Sequence, residues 1–592
     1  MRVETESYAG SYGKAPAIIP EGRRVIMRCR YCERACDMQE GQNGYCRLYR
    51  NSMGTITENY PDRYLNIYPV SSESIPMIHF CPNGIFLLVS TMGCNFACDG
   101  CISEFQTTRP SSLQEVLVPH TPEEILATAR QYSCRGITFC LNEPAVSFPT
   151  FLRLAQAAKA AGLLVGCSSN GYMTPETLQS LLPYLDFVNI GLKGSSDERY
   201  RECGAVSAAP VYRNLKTLFD NGVAVEVSVM YMNGREQEVI GAAERVRAIS
   251  PKIPFQVMRF MATHENLEPM APTRVQGEEL CKTLRKYVDH VYLFNTPGTT
   301  ELDSRCPVCG KVLIHRVFFG PMAARTLACP LDGTCSCGHK FPYKGTIDPV
   351  FEGEVQALGD YRSIMGARVV SNILGTLGVT DEKVIDRVAN TLLLNGYLTD
   401  FSAHSGTLEA YFDMVRYLAT LVHREEQADR ICRYVISIRD EVQKNAPVTG
   451  KPRVYAAFGH PLFPVYAAKA VNELVEIAGG ISINREQNFT ESKNAEYTVG
   501  ELNRLDPEVL LVSGMFNPAA SDFIATCKNL GIHCRAIDTG RVYILNGGHG
   551  DGMVSWALGL MDVENCLHPE YFRFCLETEQ EKYAHTTAVQ FA

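Results

Sequence analysis

The sequence predicts an α/β protein of more than one domain, and three observations predict it. Short, continuously apolar runs alternate with amphipathic helical patterns from about residue 84 to 265. Of 23 cysteines, 18 lie at or before Cys337 and only five beyond it, so the two parts of the chain differ chemically. Strand-like runs return after a long helical stretch, from residue 451 onward. At 592 residues the chain exceeds what one core organises, and length alone suggests about three or four units.

Residues 1–60 read as a loop-rich segment carrying Cys29, Cys32, Cys36 and Cys46 in C-x2-C-x3-C-x9-C order. In 61–300 the runs IFLLVS, GITFCL, LLVGCSSNGY, DFVNIGLK, VAVEVSVMY and PFQVMRF give about six strands. Helical patterns such as PEEILATARQY, FPTFLRLAQAAKAAG and PVYRNLKTLFDNG lie between them. Strands that are apolar without alternation are covered on both faces, the pattern of parallel βα units. The expected architecture is a partial, TIM-like (βα)6 barrel with its chemistry at the carboxyl ends of the strands. Residues 301–349 form a second cysteine-rich, ribbon-like segment, and 350–450 read as a helical connector or reduced lobe. Residues 451–592 alternate the strands RVYAAFG, VLLVSG and HCRAID with helices, as a smaller Rossmann-like α/β lobe.

A net charge of -9 and a pI near 5.9 argue against a broad nucleic-acid-binding face. The N-terminus lacks the basic flank and apolar core of an export signal, and no apolar stretch reaches membrane-spanning length. The expectation is a soluble, cytoplasmic protein with no membrane span. Thiols there are rarely stored as disulfides, so metal or iron-sulfur ligation is the leading reason for so many of them.

The segment TMGCNFACDGCISEF places Cys94, Cys98 and Cys101 in C-x3-C-x2-C spacing directly after the strand IFLLVS. Three thiolates ligate three irons of a [4Fe-4S] cubane and leave the fourth open to an exogenous chelator, whereas fully ligated cubanes use four. A zinc site borrowing a distant fourth ligand is the alternative. Cys29, Cys32, Cys36 and Cys46 suffice for either a zinc site or an auxiliary cluster. Cys306 and Cys309 (CPVCG) with Cys335 and Cys337 (CSCG) look like paired zinc-ribbon knuckles, with an auxiliary cluster as the other reading. Cys329 is a substitute for one member of the C-x-C pair.

These residues resemble the radical SAM superfamily, in which the cubane binds and reductively cleaves S-adenosylmethionine (SAM). Four stretches resemble more closely the radical SAM component of the AmmeMemoRadiSam system, itself similar to pyruvate formate-lyase activating enzymes. They are CRYCERACDMQEGQNGYCRLYRNSMGTI, IHFCPNGIFLLVSTMGCNFACDGC, ITFCLNEP and CPVCGKVLIHR. The resemblance implies that Asn142 and Glu143 hold the SAM amine and that Ser169, Asn170 and Lys193 meet its ribose and carboxylate. It also implies a 5'-deoxyadenosyl radical that removes a substrate hydrogen, and an external electron donor of flavodoxin or ferredoxin type. Two positions depart from the family. Gly100 stands where an aromatic residue commonly packs near adenine, a place expected for Phe96 or Phe105, and Gly191 stands where a carboxylate is usual.

Residues 451–592 resemble the C-terminal lobe of helical-backbone binding proteins that capture metal chelates, haem or cobalamin. The resemblance implies a ligand near Gly459-His460-Pro461 and Asn546-Gly547-Gly548-His549-Gly550, with His460 or His549 as an axial ligand or hydrogen-bond partner. The leading expectation is a radical SAM enzyme acting on a small-molecule or metal-chelate/tetrapyrrole-type substrate held with help of this lobe. The alternatives are an activase acting on a glycyl-radical protein partner, and a non-catalytic metal or tetrapyrrole chaperone.

Overall fold

The computed structural model describes residues 26–107, 117–261, 269–349, 361–394, 397, 404–446, 450–489, 497–513, 519–545, 556–579 and 581–582. Its main sheet contains β1 (Asn66–Ser71), β2 (Ile85–Ser90), β3 (Gly136–Phe139), β4 (Leu164–Ser169), β5 (Phe187–Leu192), β6 (Ala224–Tyr231), β7 (Phe255–Arg259) and β8 (Val291–Phe294). The order is sequential from β8 to β1, and every neighbour pair is parallel except the antiparallel pair of β1 with β2. The six strands read from the sequence are therefore extended by a seventh parallel strand, β8, and by the antiparallel edge β1.

The helices between strands bury one stripe each, as the spacing demands. In Phe148–Ala160 the stripe is Phe148, Phe151, Leu154, Ala155 and Ala158, with Phe151 packed on Phe139 of β3 at 4.1 Å between ring centroids. Helix Pro122–Gln131 starts at a capping box of Thr121 and Glu124, and Arg274–Leu284 at one of Thr273 and Gln276.

The inside of the barrel is filled at one level by the chain between β1 and β2. The Pro76 carbonyl accepts from Asn189 Nδ2 of β5 and Gln256 Nε2 of β7, each at 3.0 Å. Glu226 of β6 accepts from the backbone N–H groups of Ile78 (3.1 Å) and His79 (2.7 Å) and from Gln256 Nε2 (2.7 Å). Polar side chains inside a barrel need such partners, and here they fix the floor of a cavity.

The second cysteine-rich segment is a three-stranded antiparallel sheet of β9 (Ser304–Arg305), β10 (Val312–Phe318) and β11 (Ala324–Ala328). Arg316 of β10 is fully buried and donates to the Ile78 carbonyl at 3.0 Å, tying this sheet to the barrel floor.

Four helices follow among the described residues: Tyr361–Thr376, Glu382–Leu394, Leu408–Val422 and Glu425–Asn445. Then comes a parallel sheet of β12 (Arg453–Ala457), β13 (Ile481–Ser482), β14 (Val509–Val512) and β15 (Val542–Ile544) in the order β13-β12-β14-β15. HCRAID is not a strand: Arg535–Thr539 is a short helix, and the last strand is formed by the β-branched run after it. Gly540 in the left-handed region (φ +73°) separates the two. Helices and sheet share one apolar core, in which Val415, Leu418, Ile431 and Val435 meet Val454, Leu474, Leu511 and Met561.

Candidate metal and cofactor site

Cys94, Cys98 and Cys101 lie on the loop leaving β2. Asn142, beyond β3, locks that loop: its Oδ1 accepts from Thr91 N–H (3.0 Å), and its Nδ2 donates to Thr91 Oγ1 (2.9 Å) and the Met92 carbonyl (3.1 Å). Gly93 turns the chain with φ +83°, and a Cβ there would come within 2.6 Å of the Leu48 side chain. Only glycine fits both demands.

The three cysteines line a cavity of about 190 Å³ together with Asn142, Glu143, Ser169, Asn170 and Lys193. All eight residues singled out in the sequence for cluster and cofactor thus meet at the carboxyl ends of β2 to β5. Glu143 is buried and accepts from Ser169 Oγ (2.9 and 3.2 Å), Asn170 N–H (2.8 Å) and Ala145 N–H (3.0 Å). Burial raises its carboxyl above the ordinary range despite these donors. Burial pulls the Lys193 ammonium down, but the thiols of Cys98, Cys203, Cys101 and Cys94 outweigh it and hold the group above the usual lysine range. Among the described residues no acceptor takes a hydrogen bond from this ammonium. A half-buried cation on a cavity wall, beside three thiols of a single loop, fits a cluster-bound amino acid carboxylate. Asn170 Nδ2 lies 3.6 Å from Cys94 Sγ and 2.7 Å from Asn95 Oδ1.

Burial, then the Glu143 charge, pushes the Cys94 thiol well up. Cys203 hydrogen-bonds Cys98, which raises Cys98 and lowers Cys203 to about 6. Cys203 is buried and is not among the residues lining the cavity, so it sits behind Cys98 rather than across from it. Phe96 does line the cavity and packs on Tyr172 at 5.2 Å, while the Phe105 side chain lies outside the described residues. Next to Gly191 the nearest groups are Lys193 Nζ and the Ser169 carbonyl oxygen, each 3.8 Å from where a Cβ would stand.

The opposite wall was not anticipated. Met230 and Met232 at the end of β6, Met258 and Phe260 from β7, and Met322 beyond β10 make it soft and apolar. The inward register of the M-x-M run was the one signal in the sequence.

In the second cysteine-rich segment, Cys306, Cys309, Cys335 and Cys337 bring their four sulfurs within 4.8 Å of one another, a four-thiol donor set compact enough for a single metal ion such as zinc. Cys329 is outside it and takes a hydrogen bond from Asn83 Nδ2 at 3.2 Å. Cys29, Cys36 and Cys46 gather around Met38 and Tyr49, and Cys32 interacts electrostatically with Cys29, Cys36 and Cys46.

The C-terminal lobe meets the barrel at its open end. Phe463 is buried with Met261, Val317 and Phe318, and Ile102 and Phe458 pack on the same cluster. Arg274 Nη2 donates to Thr526 Oγ1 at 2.6 Å. Gly298 (φ +72°) lies under the His460 ring so closely that a Cβ would stand 2.0 Å from it. Ile102 follows β2, Met261 and Arg274 follow β7, and Gly298 follows β8, while Phe458, His460 and Phe463 follow β12. Two sets of carboxyl-end loops therefore face each other. His460 is buried, its pKa lowered to about 3 by burial, and its Nδ1 accepts from Leu462 N–H at 3.3 Å. The proton of the neutral ring then sits on Nε2. His549 and its glycine-rich loop lie outside the described residues.

Residues 88–245 match the radical SAM superfamily and residues 373–547 the periplasmic binding protein family. An uncharacterized protein of Methanocaldococcus jannaschii is 28% identical over 305 residues, covering 50% of this chain and 88% of that one. Among solved structures, a periplasmic solute binding protein of Veillonella parvula matches at 18% identity and TM-score 0.26, covering 31% of this chain. A Helicobacter pylori protein with Ni(II) bound matches at 13% identity and TM-score 0.27, covering 31%. The periplasmic heme binding protein of Vibrio cholerae matches at 13% identity and TM-score 0.25, covering 28%. The chain spans 57%, 60% and 66% of those three proteins, respectively. The match over β2 to β6 contains the cysteine loop, Glu143, Ser169, Asn170 and Lys193, and the chain joins a radical SAM domain to a periplasmic-binding-protein-like domain.

Proposed function

We propose that this enzyme abstracts hydrogen from a small-molecule or metal-chelate/tetrapyrrole-type substrate that the C-terminal domain presents to the cavity. The observation that carries this reading is the seating of the β12 loop, with Phe458, His460 and Phe463, against Ile102, Met261 and Gly298 in the carboxyl-end loops of the barrel, Ile102 being itself part of the cavity lining. In open α/β sheets, ligands bind outside the carboxyl ends of strands, and here that end of the smaller sheet faces the thiol loop. An activase needs the cavity open to a segment of another protein, which the docked domain opposes.

When bound, the [4Fe-4S] cluster and SAM supply a one-electron reductive cleavage that yields methionine and a 5'-deoxyadenosyl radical. Cys94, Cys98 and Cys101 hold three irons. Glu143 and Lys193 hold the amine and carboxylate of SAM, Ser169 and Asn170 orient Glu143, and Phe96 lies in reach of the adenine. The methionine wall excludes water from the reacting centre. His460 donates from Nε2 to an oxygen of the presented ligand rather than ligating its metal, because its proton sits on that nitrogen. The ribbon quartet holds zinc as a structural ion. The helices of 350–450 belong with 451–592 as one ligand-binding unit, since they share its core. Among the described residues no helix is long and apolar enough to cross a membrane, and an oxygen-labile cluster with an external flavodoxin- or ferredoxin-type donor suits the cytoplasm.

Haem, cobalamin and a ferric siderophore, added separately to the anaerobically reconstituted full chain, test the reading. One of them is expected to give a visible-band shift and to change the rate of 5'-deoxyadenosine formation. SAM cleavage indifferent to all three, with no band shift, would count against ligand presentation.

A further inference from the structure

Asn95 lies inside the cysteine loop and faces two thiol sets at once. It is fully buried. Its Oδ1 accepts from Asn170 Nδ2 at 2.7 Å and stands 3.8 Å from Cys94 Sγ. Its buried Nδ2 faces the Cys32 sulfur, and the hydrogen bond between them favours the Cys32 thiolate against the burial that raises that thiol. A metal-bound thiolate accepts such a bond more strongly than a thiol does.

The N-terminal arm is fixed to the cysteine loop along its length. Arg34 Nε donates to the Asn95 carbonyl at 2.6 Å, and its Nη2 donates to the Gly204 carbonyl. Glu33 N–H donates to the Tyr172 carbonyl at 3.1 Å, and Tyr49 Oη donates to the Ala145 carbonyl at 2.9 Å. Leu48 and the Cys46 carbonyl pack against Gly93. The four N-terminal thiols are also spread differently from those of the ribbon. Among the described residues, only the ribbon set brings its ligand atoms within 4.8 Å of one another. One zinc ion needs four sulfurs on a single centre, whereas a cubane takes each sulfur on a different iron and needs them farther apart.

We infer that Cys29, Cys32, Cys36 and Cys46 hold a second, redox-active [4Fe-4S] cluster, and that Asn95 couples it to the cluster at Cys94, Cys98 and Cys101 as a one-electron relay. The inference rests on the radical SAM assignment and adds the route by which the reducing electron arrives. A low-potential one-electron donor reduces the N-terminal cluster by one electron and is itself oxidised by one. The N-terminal cluster returns to its oxidised state as the central cluster takes up the electron that one SAM cleavage consumes. No covalent bond forms or breaks in the relay. Asn95 is a positioning residue, with its Nδ2 on the Cys32 side and its Oδ1 on the Cys94 side.

The test uses the full chain, anaerobically reconstituted. Wild type is expected to hold about eight irons and about one zinc. Its dithionite-reduced EPR spectrum should show two clusters broadened by mutual spin coupling, only one of which shifts on adding SAM. The Cys36→Ser/Cys46→Ser variant should lose about half the iron, keep the zinc and keep the SAM-responsive signal. Reduced ferredoxin, mixed rapidly with this variant, should bleach the remaining cluster about tenfold more slowly or worse. Asn95→Leu should keep both clusters by iron count and still show slowed bleaching of the central one. Loss of zinc in place of iron from the double variant, or ferredoxin-driven bleaching as fast as in wild type in either variant, would overturn the relay. Absence of 5'-deoxyadenosine from wild type reduced by dithionite would instead sink the radical reading, and the iron count and paired EPR signals report on the N-terminal cluster independently of it.

Discussion

Cys203 is the residue on which the three-thiol account turns, because it is a fourth thiol in contact with the loop. It touches Cys98 from outside the cavity, so the open iron is expected to face Glu143 and Lys193 instead. Cys203→Ser should retain cluster iron and SAM cleavage within a few-fold of wild type. Iron loss matching that of Cys98→Ala would make Cys203 a ligand. Lys193→Met removes the half-buried cation proposed to meet the SAM carboxylate and should raise the SAM KM by about 10-fold or more, with a smaller change in kcat, since a charge-assisted pair is worth about 1.5–3 kcal/mol. At this scale the sequence was informative where residue type and strand end coincided, as at Glu143, Asn170 and Lys193. It was silent on Cys203, which lies 105 positions after Cys98 in no recognisable spacing and reaches the loop only through the fold. Asn95 was hidden for the opposite reason: it sits inside the cysteine spacing, where nothing distinguishes it from the other residues between ligands. Asn142 was legible as a polar residue at a strand end, and in the structure its amide is engaged in holding the loop.

Among the elements, the barrel strands were legible because continuous apolar runs leave few alternatives. Strand β8 was not, since four residues at a sheet edge carry little periodicity. HCRAID failed as a strand because apolar content over six residues does not distinguish a strand from a helical turn. The floor segment between β1 and β2 could not be foreseen either, as its role depends on inward-facing Asn189, Glu226 and Gln256 on three separate strands. Burial raises Glu226 from 4.5 to about 7, against donors from His79, Ile78 and Gln256. The folded carboxyl therefore keeps its proton to a higher pH than the unfolded one. That contribution to stability is complete below about pH 4.5 and is lost as pH rises through about 7. Urea midpoints of the parent should fall between about pH 5 and about pH 8 relative to those of Glu226→Gln, and parallel curves would refute the linkage. In the ribbon, Cys306→Ser should release the zinc and leave the iron content unchanged by metal analysis. Zinc retained at the wild-type level would remove the site.

For the whole molecule, the decisive feature is that the carboxyl-end loops of the two sheets meet. Neither half of the sequence announces this, because the contact joins residues such as Gly298 and His460, or Arg274 and Thr526, that are far apart in the chain. The kinds of domain were readable from strand and helix rhythm; their mutual orientation was not. Phe463→Asp would bury a charge among Met261, Val317 and Phe318, a cost of several kcal/mol unless the contact opens. In that variant, 5'-deoxyadenosine formation should no longer respond to a ligand that still shifts its own visible band on binding. An unchanged response would mean that the seated loop has no part in presentation.

The central claim is that Cys94, Cys98 and Cys101 hold a cluster whose fourth iron is left for SAM. Its most direct test is to incubate the anaerobically reconstituted, dithionite-reduced protein with SAM and quantify 5'-deoxyadenosine beside the Cys98→Ala variant. The account predicts product that accumulates with time in the parent and is absent from the variant. Equal product in both, or none in a parent whose cluster is intact by iron analysis and EPR, would contradict it.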